Sequence, residues 1–141
     1  CPGLVGAHFD VVPANPETWE RDPFSLIVEG DKLYGRGTTD CLGHVAVITL
    51  LLQHLAKRQP KLKRSVVAVF IAGEEGGEAG VGIDMLVQHG MLDQLKHDCT
   101  CYWIDAADSQ PCTGTAGALQ WHLKATGRVF HSGLPHFGIN S

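Results

Sequence analysis

The sequence is poor in the features that would place it at a membrane or on nucleic acid. No stretch of its 141 residues approaches the ~20 consecutive apolar residues that cross a bilayer. The opening "CPGLVGAHFD" has no basic segment ahead of an apolar core, so no targeting signal reads there. Basic residues are outnumbered, 11 against 15 acidic, which removes the positive field that nucleic acid or an anionic surface requires. Neither nucleic acid nor membrane is therefore expected as a partner. The five cysteines include no CxxC pair, and their odd number argues against a complete disulfide framework, so a reducing, cytoplasmic setting is expected. Cys99 and Cys101 lack a second Cys or His pair at zinc-finger spacing. Repeats and low-complexity segments are absent. The chain begins without Met inside an apparent strand and stops at "HFGINS" soon after another, so a segment of a longer polypeptide is expected.

What is present is an alternation of short β-like runs with longer helical ones, the order expected of an α/β layer fold. "GLVGAHF", "FSLIVEG" and "KLYG" precede a helix from about Cys41 to Arg58, on which Val45, Ile48, Leu52, Leu55 and Ala56 share one face. Lys57 and Arg58 suit its C-terminal dipole, and Pro60 closes it. The run Val66 to Ala72 reads as a strand buried on both faces. A Gly-rich turn, a helix from about Gly82 to His89 and a strand around "CYWIDA" follow. Beyond "DSQPCTGTAG", Leu119, Trp121 and Leu123 alternate with polar residues, which predicts an antiparallel strand with one wet face. A boundary is placed there, giving domains of residues 1–115 and 116–141.

Four acidic or histidine-bearing stretches share one position, the C-terminal end of a strand: His8 and Asp10 in "GAHFDVV", Asp40 in "GRGTTD", Glu74 and Glu75 in "AGEEGG", and Asp105 and Asp108 in "WIDAADS". In sheets of parallel strands these ends are where ligands bind. Two carboxylates ~5 Å apart repel by roughly 3 kcal/mol at an effective dielectric of 20, so a convergence of four calls for a dication. One imidazole among carboxylates suits zinc, cobalt or manganese better than magnesium or calcium. Each residue also has a plainer role. His8 could be a core histidine satisfied by backbone, Asp10 a turn former before Pro13, and Asp40 a helix cap. The two glutamates could lie in a solvated loop, and Asp105 and Asp108 could form a turn before Pro111.

The ordered set "GAHFDVVPANPETWERDPFS", "LYGRGTTDCLGH", "VFIAGEEGGEAGVG", "DAADSQPCTGT" and "ATGRVFHSGLPH" resembles the co-catalytic metallopeptidase and deacylase family that includes acetylornithine deacetylase, succinyl-diaminopimelate desuccinylase, aminoacylase and carnosinase. "GRGTTDCLGHVA" and "YWIDAADSQPC" are most similar to its acetylornithine deacetylase-like branch. The resemblance implies a three-layer, zinc-exopeptidase-like sheet with helices on both faces, and the start of an inserted α+β lid or dimerisation domain. It implies two divalent metal ions, zinc first and cobalt or manganese as alternatives. His8 would hold one ion with Asp10 orienting it, Asp40 would bridge both, Glu75 would hold the second, and Glu74 would be the general base acting on water. The next acidic ligand would be Asp108, with Asp105 as runner-up. His131 would belong to a lid domain and reach the active site of the partner subunit in a homodimer. His44, His54, His89 and His97 match no motif position, and His122 and His136 are read as structural.

The family pattern also contains a later histidine ligand, after the lid, that does not occur in this sequence. A complete dinuclear site is therefore expected to need residues outside it. The implied activity is removal of an acyl group, such as acetyl, from an N-acyl amino acid, as in arginine biosynthesis. A dipeptidase or carboxypeptidase of the same family is one rival, and a non-catalytic structural or interaction subunit is another. Against the last, Asp40 and Glu74 both remain acidic.

Overall fold

The computed structural model describes residues 2–96, 98–106, 110–114, 116–119 and 121–139. Two compact units, Cys1–Gln110 and Pro111–Ser141, are each described by themselves.

The first unit is an α/β fold, as expected, built on a three-stranded parallel sheet. Strand β1 (Gly3–His8) is central. A hairpin follows, in which β2 (Ile27–Glu29) and β3 (Lys32–Tyr34) pair antiparallel across Gly30 and Asp31. Helix α1 (Leu42–Arg58) then leads to β4 (Val66–Ile71). Helix α2 (Ile83–Gln88) and strand β5 (Cys101–Trp103) complete the unit. Both β4 and β5 run parallel to β1, in register from Gly3↔Val66 to His8↔Ile71 and from Leu4↔Cys101 to Gly6↔Trp103. Parallel neighbours require long crossovers, and here the crossover between β1 and β4 carries the hairpin and α1.

The core forms where α1 lies on β1. Ala7, Cys41 and Ile48 are buried at its centre, and Val5, Val45, Leu52, Ala68, Phe70 and Ile104 pack around them. Val45, Ile48 and Leu52 are the helix face read from the 3 and 4 spacing, whereas Ala56, assigned to that face, is exposed. The helix ends at Gln59, whose left-handed backbone (φ 45°) lets its N–H donate to the Leu55 carbonyl at 2.8 Å, and Pro60 cannot extend the ladder.

Two expectations need correction. The run Val66 to Ala72 is not buried on both faces: Val69 is buried, Val66 and Ala72 are exposed, and the rest are half-buried. Among the described residues β4 pairs only with β1, so it is an edge strand with partial cover. The alternating strand read across Leu119 to Leu123 is not seen at its described residues, 119 and 121–123, whose apolar side chains stand 72–87% exposed. A strand needs a neighbour to satisfy its backbone, and the described residues of the second unit supply none at that point. Their one ladder contact is a bridge between Arg128 and Ile139, which exchange backbone hydrogen bonds of 2.9 and 3.0 Å beside a 3-10 turn at Pro135–Phe137.

Glycine packing at two positions sets how closely the elements approach. A Cβ on Gly6 would lie 2.5 Å from the Trp103 ring, so glycine lets the indole cross β1. A Cβ on Gly43 would overlap the Thr38 carbonyl oxygen, pressing the start of α1 against the loop that carries Asp40. In denaturant unfolding of the full-length protein, Ile48→Ala is expected to cost about 2–5 kcal/mol. Gly43→Ala is expected to lose stability even though a helix interior ordinarily gains ~1 kcal/mol from that exchange. A raised midpoint for Gly43→Ala would contradict the contact.

Candidate metal centre

The parallel register brings three strand ends to one edge of the sheet. His8 is the last residue of β1, Glu74 and Glu75 follow β4 by three and four residues, and Asp105 follows β5 by two. The loop between β3 and α1 adds Asp40, joined to Cys41 by a cis peptide.

His8 is completely buried, and its two ring nitrogens meet different partners. Nδ1 lies 2.9 Å from the Asp10 carbonyl oxygen. A carbonyl can only accept, so Nδ1 carries the proton and donates it. Nε2 then faces carboxylates: Asp40 Oδ1 at 2.9 Å, Asp105 Oδ2 at 3.6 Å and Glu74 Oε2 at 3.8 Å. A neutral imidazole would aim a lone pair at three anionic oxygens, so Nε2 must either bind a second proton or share a cation with them. Burial opposes charging His8, but the Asp10 carbonyl and the Asp40, Asp105 and Glu74 carboxylates outweigh it and raise the imidazole above its ordinary value. Donor atoms of His8, Asp40, Cys41 and Asp105 lie within 4.8 Å of one another. An imidazole nitrogen fixed by its Nδ1–H bond, facing converging carboxylates, is a donor set that fits a divalent metal.

The other groups support this arrangement. Cys41 packs against the backbone of His8, where its sulfur accepts the backbone N–H at 3.2 Å and its thiol donates to the carbonyl at 3.4 Å. Burial pushes that thiol up, so it stays neutral and acts as packing. Burial works against ionising Asp10, yet the Glu75 and Glu74 amides hold it below the carboxylate range, with Oδ2 accepting the Glu75 N–H at 2.9 Å. Its Oδ1 is buried without a hydrogen-bond partner and lies 3.4 Å from His8 Nδ1. Desolvation, then repulsion from Asp105, Glu75 and Asp40, lifts Glu74 above the usual range against the attraction of His8. Asp105 is also desolvated but is held low by the Ala106 amide, the Trp103 indole N–H at 3.2 Å and His8.

Several open alternatives resolve in this geometry. Asp40 does not cap α1, whose N-cap is Cys41, and its oxygen turns to His8 instead. His8 is both a core histidine satisfied by backbone and a member of the acidic cluster. Asp105 both forms a turn, accepting the Ala106 N–H at 2.7 Å, and reaches His8. Asp108 lies outside the described residues, as do His97 and Cys1. Glu75 is not in the four-residue cluster, and it lines a cavity beside Asp40. His131 belongs to the second unit, where its Nδ1 accepts the Gly133 N–H at 3.1 Å. The packing role of Cys41 and the cavity lining of Trp19 and Arg36 went unread in the sequence. The only available signals were a cysteine directly after Asp40 and an arginine inside the same "GRGTTD" stretch.

Comparison with known proteins gives consistent matches. Residues 4–125 match peptidase family M20/M25/M40. The chain is 59% identical over 139 residues to acetylornithine deacetylase of Arabidopsis thaliana, covering 98% of this chain and 31% of that protein. It is 54% identical, with the same coverage, to acetylornithine deacetylase of Dictyostelium discoideum. It is 42% identical over 142 residues to succinyl-diaminopimelate desuccinylase of Gluconobacter oxydans, covering 94% of this chain and 35% of the relative. The chain thus spans about a third of the length of the curated relatives it matches.

Glu74 gives a pH prediction for the metal-free protein. Its folded-state pKa lies above the ordinary value, so its contribution to stability is present at low pH and is lost as pH rises through that raised pKa. Glu74→Gln is therefore expected to raise the melting temperature of chelator-treated full-length protein at neutral pH, with the gain shrinking towards acid pH. A variant that melts lower than its parent at neutral pH would contradict the crowding of carboxylates described above.

Proposed function

Because this chain belongs to peptidase family M20/M25/M40, we propose that the protein is a metal-dependent amide hydrolase that removes the acetyl group from acetylornithine or a similar N-acyl amino acid. The observation that carries this reading is the convergence on the Nε2 of His8 of Asp105 and Glu74, beyond the ends of parallel strands, and of Asp40, from the loop before α1. The names of the relatives at 54–59% identity support the choice of substrate.

In this reading His8, Asp40 and an acid of "DAADS" hold metal: Asp108, the first choice, lies outside the described residues, and Asp105, the runner-up, is supported by its 3.6 Å approach to His8. Glu75 serves a second ion. Two divalent ions, zinc first and cobalt or manganese next, would supply polarisation of the amide carbonyl and a lowered pKa for the attacking water. Glu74 removes a proton from that water and returns it to the departing amine nitrogen, so that water and amide become carboxylate and amine. Its raised pKa brings the carboxylate nearer to the working pH of a general base. Asp10 fixes the imidazole through its carbonyl and the glutamate loop through its carboxylate. His131 steadies the substrate oxygen from the partner subunit of a cytoplasmic homodimer, a role supported by the likeness of "GRVFHSG" to the family's lid motif.

The test combines metal analysis of the full-length protein with hydrolysis of acetylornithine against dipeptides. Bound metal and preferential turnover of acetylornithine are expected. Preference for dipeptides would move the protein to the peptidase branch, and absence of both metal and turnover would exclude either enzyme. Glu74→Ala is expected to lower turnover by about 10³-fold with metal retained. Loss of metal in that variant would mean that Glu74 holds the ion and Glu75 moves the proton.

A further inference from the structure

Beside the metal centre is a cavity of about 750 Å³, lined by Asp40 and Glu75 and also by Trp19, Tyr34 and two arginines, Arg21 and Arg36. The two arginines differ in what they already hold. Arg21 forms a two-pronged pair with Glu29, Nη2 lying 2.8 Å from each carboxylate oxygen, and its guanidinium lies 4.5 Å from the Tyr34 ring centre. Arg36 stacks on Trp19 at 5.1 Å, but its Nε is buried with no hydrogen-bond partner, and no described carboxylate pairs with it. Nearby acids are engaged elsewhere. Asp22 accepts the Phe24 N–H at 3.0 Å and the Ser25 hydroxyl at 2.6 Å, while Glu20 reaches Arg21 at 3.8 Å.

A buried donor without a partner costs stability comparable to a lost hydrogen bond, and an arginine donor is among the more expensive to leave unmet. Arg36 is also held in place: its backbone N–H donates to the Pro23 carbonyl at 2.6 Å, and its guanidinium lies against the indole. Its Nη groups have no hydrogen-bond partner among the described residues either, and it is this end of a planar guanidinium fixed by stacking that would meet a carboxylate in the cavity, through two parallel N–H bonds. An N-acyl amino acid brings one anionic group into a cavity otherwise bordered by the acids of the metal centre.

We propose that Arg36 binds the α-carboxylate of the substrate and so selects N-acyl amino acids over neutral amides. The identity of that substrate rests on the deacylase reading above; the assignment of a carboxylate to Arg36 rests on the cavity. The test compares acetylornithine with its α-carboxamide on full-length holoenzyme carrying Arg36 or Arg36→Gln. Equilibrium binding of both compounds is also measured in a Glu74→Gln background, where turnover is blocked. Arg36→Gln is expected to weaken acetylornithine by roughly 10- to 100-fold, through KM and Kd rather than kcat, while the carboxamide changes less than about 3-fold. Arg36→Lys restores part of the loss, and it carries the comparison if the glutamine variant does not fold. Equal losses for acid and amide, or no preference for the acid in the parent, overturn the assignment. A parent that binds acetylornithine through Arg36 without hydrolysing it would remove the deacylase reading and leave Arg36 as the carboxylate site.

Discussion

The arrangement of this molecule depends on one electrostatic problem: three carboxylates directed at the same imidazole nitrogen. Asp40, Asp105 and Glu74 come from three different segments, and each would be more stable in water or apart from the others. What keeps them together is the packing of β1 between β4 and β5 and of α1 across β1, which fixes where each segment leaves the sheet. Hydrophobic burial of Ala7, Cys41 and Ile48 thus holds a cluster of like charges in place, and a shared cation converts their repulsion into attraction.

Parts of this were legible in the residues. The alternation of strands and helices and most of the α1 core face follow from periodicity, and the strand-end position of His8, Glu74 and Asp105 is visible in the text of the sequence, whereas Asp40, read with them, lies in the loop between β3 and α1. Register is not legible in the same way. That Gly6 sits opposite Trp103, and that Asp105 meets His8, follows from three-dimensional pairing that no spacing encodes. The two misread strands fail for one reason: apolar runs and alternation report how a strand would be covered, and cover is supplied by neighbours. Val66 pairs with β1 yet stays exposed, and Leu119 has no strand partner among the described residues.

The hairpin and the loop after it show how a small element can set selectivity without touching the reacting atoms. β2 carries Glu29, which engages Arg21, and β3 ends in Tyr34, which Arg21 covers. Two positive side chains on one cavity wall would otherwise compete for a single anion. With Arg21 committed to Glu29, the wall presents one unengaged guanidinium, and its position is set by Trp19 and the Pro23 carbonyl. Selectivity of this kind depends as much on neutralising the wrong cation as on supplying the right one.

Asp10 contributes from both ends of a single residue. Its carbonyl accepts a hydrogen bond from the His8 Nδ1–H at 2.9 Å, and its carboxylate accepts one from the Glu75 amide at 2.9 Å. One aspartate therefore ties the histidine ring to the glutamate loop, and its backbone and side-chain torsions set the span between them. A substitution at this residue would be felt on both sides of the site at once, although it touches neither the ion nor the water.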